Sequence, residues 1–269
     1  MDMSNRVIKM PVFDLSGKTA IITGGSKGIG FGIASSFAYY GANVVLTARN
    51  PEEVKDAEED INANYARGGR CIGVVADSGK QEDIDRTIAI TVENFGQLDI
   101  LVNNAGINGA SAMILDDACD DANFDRLINI NVKGVFLFAK AAAKQMKDQG
   151  TGGKIINFAS MFAFIGEKAM SVYSASKSAV LSLTKTMAAE WARYGITVNA
   201  VCPGYTITAM TADYLSNEEN YKRTAKRTAL RRIGEIEEIA GPTLAIACDC
   251  FSYMTGTSIL LDGGQTIGA

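Results

Sequence analysis

Tyr173 and Lys177 stand four positions apart in YSASK, where a long helical pattern begins. Residues at i and i+4 share a helix face, so the spacing sets an ammonium beside a phenol. A phenol ionises near pH 10, and acid–base work near neutrality needs a downward shift of ~3 units, roughly 4 kcal/mol. One positive charge at ~4 Å in an effective dielectric of ~20 supplies about 4 kcal/mol, so a single lysine suffices. Ser160 closes the apolar run INFAS thirteen positions before Tyr173, where its hydroxyl can hold an oxygen for the phenol to protonate. Each piece also has a plainer reading, because Y-x-x-x-K recurs on amphipathic helices and serine commonly follows a strand. The chain has no histidine, which excludes Ser-His-Asp and Cys-His nucleophiles, H-E-x-x-H zinc sites and any imidazole base.

A second chemical signal lies near the start. IITGGSKGIG (21–30) sets Gly24, Gly25, Gly28 and Gly30 behind an apolar run, with Ser26, Lys27 and Ile29 among them. A turn of this kind at a helix N-terminus offers unpaired N–H groups and a partial positive charge to a pyrophosphate. The spacing is not G-x-G-x-x-G, and a tight turn with close helix packing is the alternative. The dinucleotide fingerprint expects an acid about 20 positions on, to hold a ribose 2′-hydroxyl. Here stand Ala48 and Arg49. Arg49 can pair bidentately with a 2′-phosphate and Lys27 can add a second charge, which predicts NADP(H). Glu52 and Glu53 nearby keep NAD(H) open, as does a merely solvated Arg49.

Elements must bring these signals together. Apolar runs at 18–23, 42–48, 70–76, 98–104, 153–159, 196–202 and 258–262 alternate with segments of helical period. Continuous apolarity suits strands covered on both faces, and the alternation specifies parallel pairing through right-handed crossovers. The expectation is an α/β chain folded as a single doubly wound, Rossmann-type domain, a seven-stranded parallel sheet with helices on both faces. That domain spans 15–269 behind an N-terminal extension over 1–14, and the polar, strand-free stretch at about 205–235 reads as a substrate lid. Met161, Phe162, Phe164, Tyr205 and Met210 are candidates for an apolar substrate wall. A net charge of −4 gives no basic field for nucleic acid, and no apolar run is long enough to span a membrane. The first residues lack a signal-peptide core, so a cytoplasmic location is expected. The five cysteines show no zinc spacing, and DDACDDANFD (116–125) reads as a solvated helix start, so no metal is expected.

Taken in order, the motifs resemble those of the short-chain dehydrogenases/reductases from about residue 15 onward. The family's T-G-x-x-x-G-I-G is Thr23–Gly30, its N-N-A-G is Asn103-Asn104-Ala105-Gly106, and its serine and Y-x-x-x-K are Ser160, Tyr173 and Lys177. The resemblance implies that Asn131, in NVKG, is a fourth catalytic member anchoring a water beside the lysine; Asn129 is the competing assignment. It also implies cofactor contacts from Gly24, Ser26, Lys27, Gly28, Ile29, Gly30, Arg49, Asp77, Asn104, Gly106, Tyr173, Lys177, Pro203, Gly204, Thr206 and Thr208. Thr206 departs from the family pattern, which has an aliphatic residue there. The implied activity is hydride transfer between NADP(H) and a carbonyl or secondary alcohol, on a sugar acid, a 3-oxoacyl thioester or a hydroxysteroid. The implied assembly is a homotetramer or homodimer through helices near 123–149 and 172–193. A non-catalytic NADP(H)-binding regulator, or a structural subunit, is the alternative.

Overall fold

Runs of β-branched and aliphatic residues become strands wherever both faces can be covered. The computed structural model describes residue 10 and residues 12–268, so residues 1–9 and 11 of the expected extension lie outside the described residues. Seven strands form: β1 (Thr19–Thr23), β2 (Asn43–Ala48), β3 (Cys71–Val75), β4 (Ile100–Asn103), β5 (Gly153–Phe158), β6 (Ile196–Pro203) and β7 (Ser258–Leu261). All pair in parallel, in the order β3-β2-β1-β4-β5-β6-β7. Each lies inside its predicted run, except that β6 gains Pro203 at the sheet's carboxyl edge.

Helices cover both faces. On one side α1 (Gly28–Tyr39), α2 (Pro51–Asn64) and α9 (Ile236–Ala247) bury Ile33, Phe37, Ile61 and Leu244 against the sheet. On the other, α3 (Gln81–Phe95), α5 (Val135–Gln149) and α6 (Ser171–Trp191) enclose Ile21, Leu101, Phe138 and Ile155. The helix α4 (Asp121–Ile128) starts from an Asp120 cap whose carboxylate accepts from the Asn123 N–H at 2.7 Å. That accounts for the acidic run around it. Gly195 ends the α6 segment with φ 74°, in the left-handed region that glycine tolerates.

Strand order reverses direction of growth between β1 and β4, both central, and a crevice opens there at their carboxyl ends, where doubly wound sheets bind ligands. Residues 205–235 carry α7 (Ala209–Leu215) and α8 (Glu218–Lys226). A bridge between Thr206 and Gly234 closes the base of this excursion. The two helices therefore stand over the crevice on a paired stem.

Candidate active site

The glycine turn follows from β1 ending beside β4. Gly24 has φ +64°, and a Cβ on Gly30 would collide with the Gly24 carbonyl, so α1 packs directly on the turn. Asn104 locks the arrangement by donating to the Thr23 carbonyl at 3.0 Å and the Gly24 carbonyl at 3.1 Å. No side chain caps α1, leaving its first N–H groups directed at a cavity of about 350 Å³. Gly24, Ser26, Lys27, Gly28, Ile29, Gly30, Arg49, Asp77, Asn104, Gly106 and Thr208 all line that cavity. An uncapped helix end, a cradle with no room for side chains and an exposed Arg49 fit a dinucleotide.

Charges around this cavity differ from expectation at Lys27. Its ammonium is paired with Glu53 at 3.0 Å instead of standing free, and the Ser26 hydroxyl also donates to Glu53 at 3.4 Å. The cause is the crossover, which starts α2 on the Asn50 cap and swings Glu53 back over the glycine turn. Asp77 accepts from the Gly79 N–H at 2.9 Å, so one of its carboxylate oxygens serves its own turn.

A second cavity of about 470 Å³ adjoins the first and is lined by Ser160, Tyr173, Lys177, Pro203, Gly204 and Thr206. The two share Ile29, Asn104, Gly106, Thr208 and Met210. Met161, Phe162, Tyr205 and Met210 form part of its wall, as expected. Phe164 does not line it and is largely exposed, because the short 3-10 turn Met161–Ala163 rotates it outward. Thr206 is buried, and its hydroxyl is directed to the Gly204 carbonyl at 3.4 Å.

Ser160 ends β5 and caps the 3-10 turn by accepting from the Phe162 N–H at 3.2 Å. Lys177 is buried and donates to the Phe158 carbonyl at 2.8 Å, leaving two of its three ammonium donors uncommitted. Its Nζ lies 5.7 Å from the centre of the Tyr173 ring. Burial raises the Tyr173 phenol above its usual value, with hydrogen bonding to Ser160 opposing and the nearby Tyr205 adding to the rise. The net direction in the free chain is therefore upward, opposite to the downward shift expected from the lysine. Burial also draws Lys177 down to about 8, with the buried Cys202 beside it pulling the other way.

Asn131 sits in a π-helical turn, Asn129–Gly134, between α4 and α5. Its amide donates to the Ile107 carbonyl at 2.8 Å and the Ser176 hydroxyl at 3.1 Å, and accepts from the Ile107 N–H at 2.9 Å. The side chain is therefore committed to holding the loop after β4, and any water it holds must use its backbone. Asn129 faces Gly79 instead, which separates the two asparagines. Sequence reading missed a buried polar row under the site. In it Asn103 donates to Asn157 at 2.9 Å, and Asn157 donates to Thr184 at 3.0 Å. Asn103 was visible in N-N-A-G, but nothing local links it to β5 or α6.

The family profile described as enoyl-(acyl carrier protein) reductase matches residues 24–266. A solved short-chain type dehydrogenase/reductase from Mycobacterium marinum superposes with a TM-score of 0.87 at 38% identity, covering 94% of this chain and 97% of that one. The chain belongs to the short-chain dehydrogenase/reductase family. The 2-dehydro-3-deoxy-D-gluconate 5-dehydrogenase of Escherichia coli K12 is 36% identical over 95% of this chain and 98% of its own length. The 3beta-hydroxysteroid dehydrogenase 1 of Eggerthella lenta is 37% identical over 94% of this chain and 95% of its own. As a short-chain dehydrogenase/reductase, the protein is an NAD(P)-dependent enzyme acting on CH–OH groups.

The burial of Lys177 makes a testable demand on stability. The unfolded lysine keeps its proton up to 10.5, whereas the folded one releases it near 8. Between these values the unfolded state binds more protons, so this lysine's contribution to stability rises with pH there. The difference in denaturant midpoint between wild type and K177M should move in favour of wild type from about pH 7.5 to about pH 9.5. A difference that is constant, or that moves the other way, places this titration elsewhere.

Proposed function

We propose that this short-chain dehydrogenase/reductase uses NADP(H) to interconvert a carbonyl and a secondary alcohol, with Tyr173 as general acid and base. The observation that carries this reading is the common edge of the two cavities, where Ile29, Gly106 and Thr208 separate the glycine cradle from Ser160 and Tyr173. A dinucleotide held in the cradle supplies or accepts hydride at that edge. Ser160 would hold the reacting oxygen, since its hydroxyl keeps its own donor proton while accepting from Phe162. Tyr173 would hand a proton from Oη to that oxygen in reduction, and its raised pKa keeps that proton on at neutral pH. Lys177 would use its two uncommitted donors on the ribose hydroxyls, because a Cβ on Gly106 would lie only 3.3 Å from its Nζ and the passage there is narrow. Asn131 would position the Gly106–Ile107 backbone. This intact acid–base set supports turnover over inert nucleotide binding.

Arg49 favours NADP(H), because an exposed guanidinium without a carboxylate partner among the described residues faces the cavity that would receive the adenosine end. The Lys27–Glu53 pair is a small obstacle, since exposed ion pairs contribute well under about 1 kcal/mol while a hydrogen bond to a charged group contributes about 1.5–3 kcal/mol. Glu53 also supports a second reading, NAD(H), as a carboxylate beside Ser26 in the same cavity. The named relatives act on a sugar acid and on a steroid at nearly equal identity, so similarity leaves sugar acids, 3-oxoacyl thioesters and hydroxysteroids open as substrates. All five cysteines are unpaired, which supports a cytoplasmic location. A wide groove between α3, α5 and the end of α6, with half-buried Leu137, Ala141, Trp191 and Tyr194 along it, supports a homotetramer or homodimer.

Three measurements test this reading. Y173F should reduce turnover of any accepted carbonyl or alcohol by at least about a hundredfold while leaving dinucleotide affinity nearly intact. Retained turnover would assign the proton transfer to another group. Wild type should show a higher kcat/KM with NADP than with NAD, and R49A should lose about tenfold of that preference. A wild type that already prefers NAD overturns the role of Arg49 in favour of Glu53. Size-exclusion with light scattering should report two or four copies; a monomer at micromolar concentration removes the interface.

A further inference from the structure

The wall of the larger cavity carries charge out of keeping with an acidic chain. Four charged residues line it, Glu167, Lys168, Lys177 and Arg223, and Glu167 is its single acid. That carboxylate is already neutralised by Arg227 at 2.5 Å. Lys168 and Arg223 have no carboxylate within ion-pair distance among the described residues; Glu219, one turn away on α8, lies beyond it. A row of aromatic contacts runs from the reaction site to this cationic wall. Tyr173 meets Phe162 at 6.3 Å between ring centres, Phe162 meets Tyr205 at 5.9 Å, and Tyr205 stacks on Tyr214 at 5.9 Å. Arg223 ends the row, its Nη2 donating to the Tyr214 hydroxyl at 3.2 Å and to Asn220 at 2.8 Å. Its Nη1 and Nε have no partner among the described residues. Burial alone would raise the Tyr214 phenol, yet hydrogen bonds from Thr224 and Arg223 and the charges of Arg223 and Arg227 hold it below its usual value.

We propose that the substrate is a hydroxy or oxo acid whose carboxylate is held by Arg223 at the far end of the aromatic row, with Lys168 a second cation in the same lining. This rests on the carbonyl–alcohol reading above and narrows its substrate class. A guanidinium whose Nη2 is spent on Tyr214 and Asn220 still offers Nη1 and Nε as separate donors, each able to make one charge-assisted hydrogen bond to a carboxylate. Neither cation is ion-paired with a carboxylate among the described residues, so an anionic substrate gains a charge partner there that a neutral sterol does not. The row of rings supplies apolar faces for the carbon skeleton between carboxylate and reacting carbon. Arg223 is then a specificity residue fifty positions after Tyr173 in the chain.

The test is a panel of hydroxy and oxo acids, each paired with its own primary amide, assayed with NADP(H). Wild type should favour the acid of an accepted pair, and R223Q should lose about tenfold of that acid-to-amide ratio in kcat/KM, carried by KM. R223K should recover part of it, and Y214F, which removes only the phenol's hydrogen bonds with Arg223 and Thr224, should keep it. Amides accepted as well as acids, an equal loss in Y214F, or a phosphate monoester preferred over the matching acid each overturn the proposal. Should no pair turn over, calorimetric titration of the same acids and amides into NADP-loaded protein decides. Acid binding that R223Q loses upholds the carboxylate site while the carbonyl–alcohol reading fails, and equal or absent binding in both proteins overturns the site as well.

Discussion

Lys177 is a buried ammonium whose one protein acceptor is the Phe158 carbonyl. Burying a cation without a carboxylate is expensive, and the fold meets that expense partly by letting the amine's proton affinity fall to about 8. Its surroundings are built to hold it there. The end of β5 supplies the acceptor, Gly106 leaves the narrow space beside the Nζ, and the π-helical turn sets Asn131 to pin the loop that carries Gly106. A carboxylate within reach would quiet the charge and spend its donors. The burial that costs the fold leaves two of these donors without a protein acceptor.

The phenol beside it shows why proximity in sequence does not settle electrostatics. Tyr173 and Lys177 share a helix face, yet burial raises the tyrosine, and Ser160 is the group that opposes the rise. The free chain therefore stores Tyr173 as an acid. Protonated phenol and protonated lysine coexist only below about pH 8.

The glycine turn and the excursion over 205–235 meet at Thr208. Thr208, at the N-terminus of α7, sits over Gly28 at the start of α1, with 3.6 Å between its Cβ and the position a Gly28 Cβ would take. The same threonine lines both cavities, as does Met210. The helix α8 brings Arg223 over the second cavity on that same excursion, and the Thr206–Gly234 bridge fixes its base. One segment thus carries a contact on the glycine turn and the charge on the wall of the second cavity.

Much of the fold was legible because its cause is local. Apolar runs, glycine at the β1–α1 junction and a left-handed stop at Gly195 dictate strands, crossovers and helix ends from a few neighbouring residues each, and the parallel sheet follows from their alternation. The Ser160, Tyr173 and Lys177 set was legible for the same reason, since a strand end and one helix face are short-range features. What the chain's order could not reveal is which distant groups compensate one another. Glu53 takes Lys27, Glu167 takes Arg227, Asn103 reaches Asn157, Phe164 turns outward, and Arg223 arrives beside Tyr214 with its charge unspent. Periodicity encodes the face a residue occupies, whereas the partner it meets depends on how crossovers close in space, and only the tertiary structure decides that.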